Sequence, residues 1–280
     1  MSMDDTIEGK ITVGKGINYY VIAIITVGII IFLIGNSVEP EVEDELDFYE
    51  LLSSLGFIAA TIFAFLVAKR YWGSKIFGKS YLSLALGYLC YSIGWNLFWV
   101  YEIYYQVENP YPYYPDIFFI AFYPFTIYHL RKNFKGFQKT LSKEQKFIII
   151  IIPIVFSSTY AFFGLFLVEA EGGLENFVIK PLPDYGETYF KEYLTGLVFV
   201  FATSLTFSSA IVSTQIFRDT VLGGAWGLLL LGILLNTAAD IYYYIFELFG
   251  GYVRENPVTG IWLAGTVFVC YGLYKHRKEI

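Results

Sequence analysis

The sequence predicts an all-α membrane protein, a bundle of about eight transmembrane helices arranged as two parallel four-helix repeats. Three observations predict it. Of 280 residues, 56% are hydrophobic and only 16% charged, with a mean hydropathy of +0.54, whereas a soluble domain is about half apolar and roughly a quarter charged. The apolar residues fall in long unbroken runs, the pattern of bilayer-spanning segments. Basic residues gather in alternate connections between those runs.

Runs long enough to span (about 20 residues) lie near Ile17–Gly35, Tyr49–Ala68, Tyr81–Tyr101, Asp116–Leu130, Phe147–Val168, Tyr193–Phe217, Val221–Phe246 and Val258–Tyr274. The first resembles a signal peptide in position. Its apolar core is too long and no A-x-A pattern follows, so it is expected to be a retained helix. The fourth is short. The basic connections read KRYWGSKIFGK, RKNFKGFQKTLSKEQK and KHRKEI, while VEPEVEDELDFYE and the stretch from Val168 to Glu192 are acidic. Lysine and arginine accumulate on the cytoplasmic side. With both termini in the cytoplasm, all but Lys180, Lys191 and Arg254 of the 19 basic residues fall inside. The expected location is a cell membrane. The acidic outer face would attract cations, or simply keep that face hydrated.

An internal echo divides the chain into halves at residues 1–146 and 147–280. LGYLCYSIGWNLFWVYEI (Leu86 to Ile103) aligns with LGILLNTAADIYYYIFEL (Leu231 to Leu248), pairing Leu86 with Leu231, Gly87 with Gly232, Trp99 with Tyr244 and Glu102 with Glu247. Each is followed by a Pro-bearing outer loop and then an aromatic span ending in basic residues. Halves with an even number of crossings would be parallel, related by an axis along the membrane normal.

Ionisable residues inside a span cost about 2.5–3.5 kcal/mol at a helix centre on insertion scales, and so point to function. Asp240 is the clearest. It lies beyond the middle of the seventh span, with Asn236, Tyr243 and Glu247 on its helical face at offsets of three, four and seven. The matching face of the third span carries Tyr91, Trp95, Phe98 and Glu102, with Asn96 one step round, and Asp116 opens the fourth. The expected site is an outward-facing pocket walled by Trp95, Trp99 and Trp262, with Asn96, Asn236, Tyr243, Asp240 and Asp116 making polar contacts. Aromatic faces beside carboxylates suit a small cationic or aromatic ligand. The same aromatics and terminal acids also fit an interfacial belt at the membrane boundary.

The sixth span is rich in hydroxyls from Thr203 to Thr214, which read as close helix packing. Cys90 and Cys270 sit in apolar segments without metal spacing, and His129 and His276 stand beside basic clusters. Neither a metal nor a cofactor is expected. Phosphate-binding, zinc-hydrolase and serine-hydrolase motifs are absent, and the basic loops are not nucleic-acid patches.

The stretch YPYYPDIFFIAFYPFTIYHLR (Tyr111 to Arg131) resembles a Tyr-Pro-Ser-x-Ala-Asp…Tyr-x-x-x-Tyr-Pro pattern. That pattern occurs in the membrane-embedded N-terminal regions of some diguanylate cyclases and archaeal histidine kinases. Tyr111, Pro112, Asp116 and the pair Tyr123-Pro124 match, while Tyr114 and Pro115 depart from it. The resemblance implies a sensing module whose signal leaves through an attached cytoplasmic domain. No such domain is seen here, so a separate cytoplasmic signalling partner is expected, docking on Arg131–Lys146. The Ile, Tyr, Lys and Glu bias leans toward a thermophilic archaeal source. Alternative readings are a transporter coupled to protons or cations, and an intramembrane lipid enzyme using Asp116 and Asp240.

Overall fold

The computed structural model describes residues 48–105, 111–138, 140–180, 188–217, 223–249 and 257–278. The predicted first span, Ile17–Gly35, and Arg254 lie outside the described residues. Those described form eight α-helices and no strand: α1 (Phe48–Arg70), α2 (Phe77–Tyr105), α3 (Pro115–Phe137), α4 (Lys143–Ala170), α5 (Leu174–Ile179), α6 (Tyr189–Phe217), α7 (Gly223–Glu247) and α8 (Pro257–Lys278).

Local chemistry fixes the helix ends. Ser74 Oγ accepts hydrogen bonds from the backbone N–H of Ile76 and Phe77, opening α2. Pro115 occupies the first turn of α3, where its missing N–H costs nothing. A capping box opens α4: the Gln145 N–H donates to Ser142 Oγ, and the Ser142 N–H donates to Gln145 Oε1. The chain leaves α4 through Gly172 and Gly173, whose positive φ angles of 85° and 113° favour glycine. There the Gly173 N–H returns to the Val168 carbonyl at 2.9 Å.

Helix α3 continues past Leu130, where the expected fourth span ends, to Phe137, because Leu130, Asn133 and Phe134 extend its buried face past the first basic residues. The connection after the fifth span contains a helix, α5, held by Phe177 against Phe190 and Tyr193 of α6.

Five helices are long and apolar enough to cross a membrane, Leu51–Arg70, Lys143–Ala170, Tyr189–Phe217, Gly224–Glu247 and Pro257–Arg277, so this is a helical membrane protein. The 29-residue α2 and 23-residue α3 are long enough in rise to span about 30 Å. Their Tyr, Trp, Ser and His side chains lower their hydropathy.

Neighbour packing closes a ring. The order round it is α1, α2, α3, α6, α7, α8, and α8 returns to α1. Helix α4 packs outside the ring against α6, with α5 between the C-terminal end of α4 and the N-terminal end of α6. Only 17% of the α4 span is buried, compared with 61% of α7. Inside the ring, Tyr81, Leu84, Tyr88, Phe122, Tyr123, Phe199, Trp226 and Leu229 are all sealed from solvent. Close approach of α7 and α8 depends on Gly232, where a Cβ would stand 2.5 Å from the Gly265 carbonyl oxygen.

Candidate functional site

Asp240 sits on the inward face of α7, 3% exposed. Its partners come from three other helices of the ring. Trp262 Nε1 of α8 donates to Oδ1 at 2.7 Å, and the Tyr123 hydroxyl of α3 donates to Oδ2 at 3.0 Å. Tyr91 of α2 also hydrogen-bonds to the carboxylate. One carboxylate therefore ties three other helices to α7. Such fully directed contacts keep a buried polar group from being left unsatisfied.

Aromatic rings surround this junction. Trp95 meets Trp262 edge-on with centroids 6.4 Å apart, and Tyr243 packs on Trp262 at 5.5 Å. Tyr91 is wedged between Phe57 at 4.6 Å and Phe119 at 5.0 Å. Asp240, Trp262, Tyr243 and Trp95 thus come together. Asn236 lies about one turn nearer the basic end on α7, its Oδ1 pressed against Gly265.

The other expected residues serve different contacts. Asn96 faces α1: its Oδ1 accepts from Ser54 Oγ at 3.0 Å, and its Nδ2 donates to the Ser92 carbonyl at 2.7 Å. Asp116 accepts the Tyr113 N–H at 2.6 Å and braces the entry to α3. Trp99 is half-buried one turn beyond Trp95. Glu247 is half-buried at the end of α7.

The sixth-span hydroxyls belong to α6, and most are spent within it. Ser204, Thr206, Ser209, Ser213 and Thr214 donate to carbonyls four residues back, at 2.6 to 3.0 Å. Thr203 is different and faces Tyr123. Among the described residues no group of three or more His, Cys, Asp or Glu is placed to hold a metal.

Tyr123 was named in the sequence only as part of a Tyr-Pro pair, and nothing in the sequence linked it to Asp240, 117 positions away. A second cluster is likewise unmarked in the sequence. At the basic end, His129 of α3 and His276 of α8 both pack on Tyr81 of α2, at 5.0 and 5.5 Å, and on Trp226 of α7, at 5.5 and 5.2 Å.

Chemically, the Asp240 junction presents acceptor oxygens to neutral N–H and O–H donors. The lysines and arginines of the described helices all lie within about two turns of a helix end. A cation at the junction would complete what the neutral donors leave uncompensated. The surface hollow of Lys143, Glu144, Phe147 and Ile148 belongs to α4, outside the ring. No protein-family model, curated protein or solved structure matches the chain.

Proposed function

We propose that this protein is a non-enzymatic membrane sensor, or small-ligand-binding module, whose ligand is a small cationic or aromatic molecule held at Asp240. The observation that carries this reading is the buried Asp240 carboxylate, braced by Trp262 and Tyr123 within an aromatic surround. Ring faces attract cations and the carboxylate supplies the counter-charge. In this reading eight spans place both termini in the cytoplasm, and the basic surface of Arg131–Lys146 receives a signalling partner.

The order of helix neighbours is compatible with two related halves. Helices α1, α2 and α3 neighbour one another in the order in which α6, α7 and α8 do, and each half ends against the start of the other. In the alignment of Leu86 with Leu231, Tyr81 corresponds to Trp226 and Trp95 to Asp240. A signal would therefore arise where the acidic position of one half meets the aromatic positions of the other.

Native mass spectrometry of gently solubilised wild type beside Asp240→Asn tests this. A stoichiometric small molecule present in wild type and lost in the variant is the expected result. The same occupancy in both proteins removes Asp240 from the site. A transporter coupled to protons or cations is the second reading, favoured by a lone carboxylate shared between two helical halves. Cation or proton flux into vesicles that ceases in Asp240→Asn would decide for it.

A further inference from the structure

Buried polar atoms without a partner are concentrated on the ring. Among the described residues they include Tyr81 Oη, Thr126 Oγ1, Asn133 Oδ1, Trp226 Nε1, Asn236 Oδ1 and both His276 ring nitrogens. Each of these residues is at least nine-tenths buried. An unmet buried donor or acceptor costs about 1–3 kcal/mol. So many in one region call for a guest that both donates and accepts.

Their placement is axial. Helices α2 and α7 lie on opposite sides of the ring, yet Tyr81 and Trp226 meet with centroids 5.9 Å apart. Further along the same two helices, Tyr88 and Asn236 meet across the middle through a side-chain hydrogen bond, and Asn236 Oδ1 is left unmet. Helix α3 adds roughly one polar side chain per turn on its buried face: Tyr123, Thr126, His129 and Asn133. Thr126 rests against Gly87, next to Tyr88. The polar positions thus descend from Asp240 to the histidines in steps of about one helical turn, roughly 5.4 Å. From Asp240 to Trp226 is fourteen residues, a rise of about 21 Å.

We propose that the axis of the ring holds a file of bound water leading from Asp240 to the His129–His276 cluster at the basic end, forming a proton path. Buried water characteristically satisfies about three otherwise unmet polar groups. Intramembrane ladders of polar and ionisable side chains mark ion and proton routes. A proton reaching Asp240 comes from the adjacent water, which is reprotonated by the next along the file, so no other bond is made or lost. The groups facing Asp240 are Tyr88 and Tyr91 of α2, Tyr123 of α3, Trp262 of α8 and Tyr244 of its own helix, with no basic side chain among them. The path stands whether or not a ligand docks at Asp240, and its test is independent of ligand retention.

Radiolytic hydroxyl-radical labelling of the full chain in lipid nanodiscs reads bound water directly. Tyr88, Trp226 and His276 should be oxidised at rates within about fivefold of exposed Trp72, since water lies against them. Phe199, fully buried, should stay inert. Labelling of the first three no faster than of Phe199 overturns the water file. Infrared spectroscopy in D2O then reads the proton at Asp240, its band being identified by subtraction of Asp240→Asn. Exchange in wild type, slowed about tenfold by the near-isosteric Thr126→Val, supports the path. No exchangeable proton in wild type, or exchange unaltered by the variant, overturns its proton role.

Discussion

Helices α3 and α4 are consecutive, similar in length and joined at the basic end, but they are built for opposite surroundings. Helix α4 is apolar around its circumference, with Phe147, Ile150, Phe162 and Leu165 all more than half exposed. Helix α3 falls short of the apolarity of a membrane span, yet Phe122, Tyr123, Thr126, His129, Leu130, Asn133 and Phe134 are all buried. Lipid rewards apolar surface and makes no demand on shape, so α4 needs only hydrophobicity and one seam against α6. The ring interior rewards directional contacts, so α3 trades hydropathy for side chains that bond. A helix that falls short of a membrane span in hydropathy therefore helps to line the molecule's centre.

The sharpest way to break this comparison is to remove bulk from inside the ring. Trp226 is fully buried and packs on Tyr81, His129, Phe217 and His276. Trp226→Ala is expected to cost about 3–5 kcal/mol in unfolding free energy, measured by denaturant unfolding in mixed micelles. A loss under 1 kcal/mol, judged against that expectation, would mean that the ring interior is loosely packed. Gly232→Val should come next, at about 1–3 kcal/mol, because the added carbons meet the Gly265 carbonyl and Val269. Unaltered thermal unfolding in this variant would refute the close approach of α7 and α8.

Effects on α4 should be smaller and confined to its ends. Ser142→Ala removes the side chain that caps Gln145 N–H, for an expected loss of about 1 kcal/mol, read from the apparent melting temperature. Phe162→Ala, at a side chain 56% exposed, should fall within about 0.5 kcal/mol of wild type in the same melt. A large loss at Phe162 would show that α4 is covered by protein rather than lipid.

The sequence showed the spans wherever apolar residues ran unbroken, and Asp240 stood out because a carboxylate there is costly. It gave no sign that α3 outlasts its apolar run, where Asn133 and Phe134 carry the buried face past Arg131 and Lys132. The capping signature Ser142-x-x-Gln145 was present in the letters and fixes the start of α4. Local patterns of this kind report on a helix and its own turns. They are silent about pairs such as Tyr123 with Asp240, or His129 with His276, which are set by which helices face one another across the ring. Asn96 shows the same limit: one residue from Trp95 in sequence, it turns instead to Ser54 on α1.

Closure of the ring by α8 against α1 also sets a timetable for biogenesis. The Trp262 that bonds Asp240 and the His276 that packs on Trp226 both arrive on this last described helix. During synthesis α7 must enter the bilayer with its carboxylate lacking the Trp262 donor, and the earlier helices must wait beside an open seam. Emergence of α8 is then the event that seals the centre, so a ribosome stalled before residue 257 would leave Asp240 without its α8 partner.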